Sequence, residues 1–499
     1  MNKKLILKIM GLILIIESAL MVLPLLICLT YRENDWPFFL MCILGCLVPG
    51  IPLYLIKCDK KTIHAAEGYL IVGLAWIILS AVAAAPFVAA GYIPSFLDAM
   101  FETVSGFTTT GVTIMDNVEI LSHSMQFWRI FTHWVGGMGI LVFMMAITPV
   151  AGRGTAIHML KAESPGPTTE KISPKISAAA KYLYLIYIGL TIIQIITLMI
   201  SGMDVFHSAL VAFGTMGTGG FSYMNTSMAT VTIVQRSIIT VFMLLAGANF
   251  SLYFLILTGK VKDALKNEEL RWYGCIYVLA CAIITFSTFR AGCFSTVRET
   301  VHYVTFSIAS LMTTTGYSAC DMNAWPWFAK NLTLLLMIIG ACAGSTAGGI
   351  KVSRMGIALK SIRNSLKRLI HPRSVSTVRY NGKELPINVI QDVLFYLLLY
   401  VLIYSVSMIV ICIDPKADFI TAFSAVDTTI NNNGIGFAWA AGPFSGFAWY
   451  SKVVFILDML IGRLEIFPIL ILLDMIISPA KYAGRRAVKG ARKVFGKRL

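Results

Sequence analysis

The sequence predicts an all-α integral membrane protein. Four helix–re-entrant pore loop–helix repeats surround one pore, with two extra N-terminal helices and about ten spans in all. Three observations predict it. Of 499 residues, 57% are hydrophobic and only 13% charged, where a soluble domain carries about 25% charged residues; mean hydropathy is +0.77. Apolar stretches near 9–31, 37–56, 66–90, 130–151, 182–203, 236–259, 272–290, 331–358, 392–413 and 452–479 are each long enough to cross a bilayer. Finally, four segments flanked pairwise by the last eight stretches end alike: LDAMFETVSGFTTTG (97–111), FHSALVAFGTMGTGG (206–220), HYVTFSIASLMTTTG (302–316) and ITAFSAVDTTINNNG (420–434). Each starts apolar and helix-compatible and ends in small hydroxyl, amide and glycine residues. Backbone of that kind is not tolerated against lipid, but it is where it lines a cavity filled with water or ions.

The elements follow in order. Lys3, Lys4 and Lys8 precede an apolar run from Ile9 to Tyr31 that is too long for a signal peptide and is interrupted by Glu17, so it reads as a retained first helix. Residues 1–64 form the two-helix extension, and the pore repeats occupy 65–175, 176–265, 266–385 and 386–480. A basic tail, 481–499, closes the chain. The net charge of +16 is concentrated at the N-terminus, at Lys57, Lys60 and Lys61, in the 151–181 connection, between Lys260 and Arg271, in the 351–391 stretch and in the tail. By the positive-inside rule both termini are cytoplasmic and all four re-entrant segments enter from outside.

Several function classes are disfavoured. No basic run is interleaved with aromatics on a soluble domain, so nucleic-acid binding has no support. The seven histidines show no ligand spacing, and His133 and His207 read as packed or hydrogen-bonded. An intramembrane enzyme or sensor would need converging acids, histidines or a nucleophile, and these are scattered. The ten cysteines contain no CxxC pair and read as small packing residues. Cys293 and Cys320 fall outside the membrane, where a disulfide is open to them.

Four copies around one axis make a ring, and a ring of backbone carbonyls can replace the hydration shell of a monovalent cation. Gly111, Gly220, Gly316 and Gly434 permit the backbone angles this requires and leave the wall free of side chains. The ligating carbonyls fall at Thr109, Thr110, Gly111 and Val112; Thr218, Gly219, Gly220 and Phe221; Thr314, Thr315, Gly316 and Tyr317; and Asn432, Asn433, Gly434 and Ile435. Asn431, Asn432 and Asn433 make the fourth copy unlike the others, which predicts fewer matched sites and poorer discrimination between potassium and sodium. In the eighth span, Gly344, Ser345, Thr346, Ala347, Gly348 and Gly349 should break the helix. A phosphate-loop reading fails because Ile350 separates the glycines from Lys351 and Val352 stands where a hydroxyl is required. Arg463 lies deep in the last span, where an unsheltered arginine costs about 2.5–3.5 kcal/mol, so it must face protein or water. A salt bridge to another helix and a positive charge below the ring are both open to it, and Asp458 could pair across helices.

Taken as a set, TTTGVT (108–113), GTGGFS (217–222), TTTGYS (313–318) and NNNGIG (431–436) resemble the TrkH/KtrB/HKT superfamily of cation transporters, and the resemblance covers essentially the whole chain. It implies potassium uptake across a bacterial inner membrane, a filter that binds potassium, and a gate formed by 344–349 with Arg463. It also implies a homodimer with one pore per subunit, and a cytosolic TrkA-type ring that carries the nucleotide (ATP/ADP or NAD). This chain itself would bind no cofactor, with potassium as its substrate. In the plant branch, serine at the first filter glycine resembles sodium selectivity; glycine at Gly111 implies potassium. A sodium-permeable or weakly selective channel is the alternative. The 151–181 connection, the 351–391 stretch and the tail are expected to meet the partner ring or anionic lipid.

Overall fold

The structure, a computed structural model, describes residues 2–58, 65–138, 176–373, 377–464, 466 and 469–470. The 151–181 connection, apart from its last residues, and the 481–499 tail lie outside the described residues. So does the end of the first repeat.

Helices α1 (Lys3–Tyr31) and α2 (Trp36–Leu55) pack as a hairpin. They touch through backbone: a Cβ on Gly11 would sit 2.7 Å from the Gly50 carbonyl oxygen and 2.6 Å from the Tyr54 nitrogen. Small residues serve this purpose in membranes, where close van der Waals packing replaces a hydrophobic drive.

The first repeat comprises α3 (Ala65–Ala89), half-helix α4 (Phe96–Phe107) and α5 (His123–Gly137). The second comprises α6 (Ile176–Ile200), half-helix α7 (Val205–Met216), α8 (Ile233–Ala246) and α9 (Phe250–Leu257), with a short α10 (Val261–Leu265) after it. The third comprises α11 (Glu268–Arg290), half-helix α12 (Val297–Met312), α13 (Trp327–Ile339) and α14 (Val352–Ile370). A hairpin of β1 (Arg379–Tyr380) and β2 (Lys383–Glu384), with Arg379 opposite Glu384, leads to the fourth repeat. This is α15 (Ile387–Ile411), half-helix α16 (Phe419–Ile430) and α17 (Trp449–Leu464).

Every half-helix opens on a polar side-chain cap. Ser95, Asp204, Thr296 and Asp418 accept hydrogen bonds from the backbone N–H of Asp98, His207, Glu299 and Thr421. Each cap satisfies an orphan donor of the first turn and fixes where the chain turns back into the membrane.

Six helices among the described residues are long and apolar enough to cross a bilayer, or seven if the bent pair α8–α9 is one span. Two expected spans are interrupted. The 331–358 stretch breaks between Ile339 and Val352, as the small-residue run predicted. The 236–259 stretch, expected to be continuous, bends by 92° between α8 and α9. There Gly247 ends one helix and the Asn249 side chain caps the next. Large apolar side chains such as Ile193, Val278 and Leu398 are exposed on the outer helices α6, α11 and α15, which is the face a lipid solvent would cover. Phe101, Phe107, Trp128, Phe444 and Phe455 are buried where the first and fourth repeats meet α1 and α3. All ten cysteines are free, so the disulfide open to Cys293 and Cys320 is not formed. The Cys293 thiol instead approaches the Ala324 carbonyl, and Cys320 the Ser307 hydroxyl.

Candidate functional site

The four half-helices end in the same backbone turn. At each C-terminus a non-glycine residue takes a left-handed conformation: Thr109 (φ 56°), Thr218 (53°), Thr314 (52°) and Asn432 (52°). Its N–H donates three residues back and the next residue's N–H donates five back. The second set is Thr110 to Ser105, Gly219 to Gly214, Thr315 to Ser310 and Asn433 to Thr428, all at 2.8–2.9 Å. This is the bonding of a Schellman cap, in which the left-handed position usually holds glycine. Placing a side-chain-bearing residue there costs about 1–2 kcal/mol, and for a β-branched threonine it is a genuine outlier. The same strain recurs at four equivalent positions, and strain of this kind clusters at functional sites. Two residues on, Gly111, Gly220, Gly316 and Gly434 return to positive φ, at 87°, 77°, 80° and 83°.

These glycines form a closed ring. A Cβ built on Gly111 would collide with the carbonyl oxygen of Gly219, one on Gly220 with that of Thr315, one on Gly316 with that of Asn433, and one on Gly434 with that of Thr110. The order runs from the first repeat through the fourth and back to the first. The ring floors a cavity of about 560 Å³ lined by all four glycines and by the loops that follow them. Thr109, Thr110, Thr218, Thr314, Thr315, Asn432 and Asn433 are fully buried.

Not every expected carbonyl belongs to this set. The Val112 carbonyl accepts the Ser105 hydroxyl at 2.6 Å and so is turned back onto its own half-helix. Phe221 and Tyr317 act as wedges. The Phe221 ring lies against Gly106, and the Tyr317 hydroxyl lies where a Cβ on Gly214 would be, each locking one repeat to its predecessor. Ile435 is likewise buried. The three asparagines do not disturb the backbone of the fourth copy, which matches the others in φ and hydrogen bonding. Their amides brace the ring instead. Asn431 bonds Asp427 and Tyr400, Asn432 bonds the Thr110 hydroxyl and the Met459 carbonyl, and Asn433 bonds the Leu311 carbonyl at 2.6 Å. The asparagine run thus leaves the backbone turn of the fourth copy matched to the other three.

Behind the ring lie His133 and an ion pair that the sequence reading did not single out. His133 accepts the Phe221 N–H through Nε2 (3.1 Å) and contacts the Gly106 carbonyl through Nδ1 (2.7 Å), which requires the Nδ1–H tautomer. Its packed, hydrogen-bonded state is the one expected; it ties the first repeat to the second. Arg129 and Glu102 form a buried ion pair at 2.6 Å. Glu102 also accepts the Ile114 N–H and the Thr113 hydroxyl, while Arg129 donates to the Ser222 carbonyl and covers the Phe221 ring. Two charges inside apolar segments were the available signal. Removing one partner of a buried pair costs about 3–5 kcal/mol. Arg129→Met is therefore expected to lower the melting temperature of the detergent-solubilised protein markedly, and a melting temperature equal to that of the parent would show that the pair does not hold the fold.

The loop between α13 and α14 lies against the base of the ring, where the half-helices present the negative ends of their dipoles. Gly348 donates to the Thr314 hydroxyl at 2.6 Å and Gly349 to the Asn431 carbonyl at 3.1 Å. Thr346 and Ala347 complete this buried face, whereas Gly344 and Ser345 turn away from the ring. Their end of the loop pairs with the α8–α9 bend: Phe250 donates to Gly344, and Cys342 to Gly247. Unwound backbone at this depth thus finds partners in protein, as it must. Arg463, on α17, donates to the carbonyls of Thr346 (2.6 Å), Gly136 (2.6 Å) and Gly137 (2.8 Å). Asp458 accepts the Ser407 hydroxyl of α15 at 2.7 Å.

A sequence profile of the TrkH family, described as cation transport protein, matches residues 36–483. The chain belongs to the TrkH family. The Trk system potassium uptake protein TrkH of Escherichia coli (strain K12) is 35% identical over 479 residues, spanning 95% of this chain and 98% of that protein. Its counterpart in Vibrio parahaemolyticus (serotype O3:K6) is 35% identical over 481 residues, spanning 94% and 98%. The crystal structure of the potassium transporter TrkH from Vibrio parahaemolyticus superposes with a TM-score of 0.86 at 33% identity, covering 95% of this chain and 99% of that one. Membership in the TrkH family, together with the apolar spans, makes this chain a multi-pass membrane protein of a cation-transporting family.

Proposed function

We propose that this chain takes up potassium across a bacterial inner membrane through the ring formed by the four glycine turns. The observation that carries the reading is the cyclic order in which each glycine abuts the carbonyl preceding the next glycine. Carbonyls so arranged can replace the hydration shell of a monovalent cation. The names of the relatives, Trk system potassium uptake proteins, support potassium as the ion. The ligands are the carbonyls of Thr109, Thr110 and Gly111 and of their counterparts in the other repeats. Residues 344–349 and Arg463 form the gate beneath them: the loop blocks the base of the ring and the guanidinium adds positive charge there. Potassium enters from outside, down its electrochemical gradient or coupled to another ion, and both termini are cytoplasmic. The protein works as a homodimer with one pore per subunit, and a cytosolic TrkA-type ring holds the nucleotide that regulates it.

Rubidium-86 uptake into potassium-loaded proteoliposomes containing this chain tests the reading. Uptake should be blocked by external potassium far more effectively than by sodium. Equal competition by sodium would replace it with a weakly selective cation channel. Absence of flux even from a variant with a shortened 344–349 loop would overturn it.

A further inference from the structure

Two adjacent acids at the start of α11 face in different directions. Glu269 is buried, and its Oε1 accepts the N–H of Ala343 at 2.7 Å and that of Ser353 at 3.2 Å. One carboxylate oxygen thus holds both ends of the 343–353 segment. Glu268 binds the 379–384 hairpin. Its Oε2 accepts the Asn381 N–H at 3.1 Å, its own N–H donates to Asn381 Oδ1 at 2.8 Å, and its Oε1 pairs with Lys360 of α14. Lys360 in turn donates to the Arg379 carbonyl at 2.9 Å.

We infer that the Glu268–Glu269 dipeptide is a mechanical coupler joining the 379–384 hairpin to the loop under the ring, with Glu269 as the residue that holds the loop shut. The proposal rests on the reading of that loop as the gate. Its physical basis is short range and rigid. The two acids share one helical turn, so a displacement of the hairpin that pulls Glu268 rotates Glu269 against the two N–H groups it holds. Hydrogen bonds to a charged acceptor are the stronger kind, and no flexible segment separates the two attachment points. The hairpin lies on the side of the molecule opposite the 560 Å³ cavity, where a cytosolic partner would act, so force applied there reaches the loop without passing through the ring.

The test is rubidium-86 flux through proteoliposomes of the full chain without partner, comparing the parent, Glu269→Ala, Glu269→Gln and a shortened 344–349 loop. Glu269→Ala should raise the flux by about tenfold or more, because both anchors are lost. Glu269→Gln keeps a carbonyl acceptor but loses the charge, and its flux should fall between the parent and Glu269→Ala. A rise through the ring should stay blocked by external potassium better than by sodium, whereas a nonspecific leak from misfolded protein would be blocked by neither. If the shortened loop leaks and Glu269→Ala does not, the clamp is overturned while the gate stands. If the shortened loop does not leak, the gate reading falls and takes this proposal with it. For the coupling itself, amide hydrogen exchange over 340–353 should accelerate in Glu268→Ala. Faster exchange confined to the hairpin would overturn the coupling.

Discussion

Gly220→Ala is expected to reduce rubidium uptake to background while the protein still folds. The methyl group would enter the space occupied by the Thr315 carbonyl oxygen, so the ring must open or that carbonyl must turn away. The backbone penalty alone, about 1–2 kcal/mol for a left-handed alanine, is not the cause. Gly202→Ala provides the control: Gly202 sits at φ 92°, but nothing lies within 4 Å of a Cβ there. It should lose a similar amount of stability and keep its uptake. The cyclic order makes the prediction collective, since Gly111, Gly316 and Gly434 meet the same kind of obstacle. Uptake and potassium preference surviving in Gly220→Ala would remove the ring from the ion path.

Arg463→Ala is expected to raise partner-free rubidium flux by about tenfold over the parent. Three carbonyls, from the third repeat's loop and the end of α5, accept from one guanidinium. A charge-assisted bond contributes about 1.5–3 kcal/mol, and about 1.4 kcal/mol is a factor of ten in an equilibrium, so losing the one to Thr346 shifts the loop toward open by about tenfold. The substitution also removes the positive charge beneath the ring, which favours cation passage in the same direction. Arg463→Lys should leak less than alanine but more than the parent, because an ammonium lacks the planar fork that spans separated acceptors. The measurement is partner-free rubidium flux. A tight, folded Arg463→Ala protein would assign the residue to packing alone.

Much of the architecture was legible because its signals are local. The four half-helices announce themselves by an apolar run that passes into small polar residues and a terminal glycine within fifteen residues, and helix breaks depend on near neighbours. The break at 340–351 was visible for the same reason. The bend between α8 and α9 was not anticipated, although Gly247 and Asn249 are the residues that make it. A lone glycine in an apolar run is weak evidence, and what stabilises the bend here is a backbone bond from Phe250 to Gly344. The left-handed threonines were also hidden. Threonine rarely adopts that conformation alone, and only the surrounding ring imposes it.

By itself, then, the sequence determined that the chain spans a membrane, that it carries four related turns ending in Gly111, Gly220, Gly316 and Gly434, and that the eighth span is broken. Each of these depends on composition or on short-range periodicity. The tertiary structure alone decided that the turns close in cyclic order, that Val112 points its carbonyl back to Ser105, and that the three asparagines brace the ring without deforming it. It also decided the partners of Arg463, one of which lies 327 residues away in the chain. Contacts at such separations leave no periodic trace in one sequence. They arise when apolar segments pack and the polar backbone excluded from lipid must find its hydrogen-bond partners inside the protein.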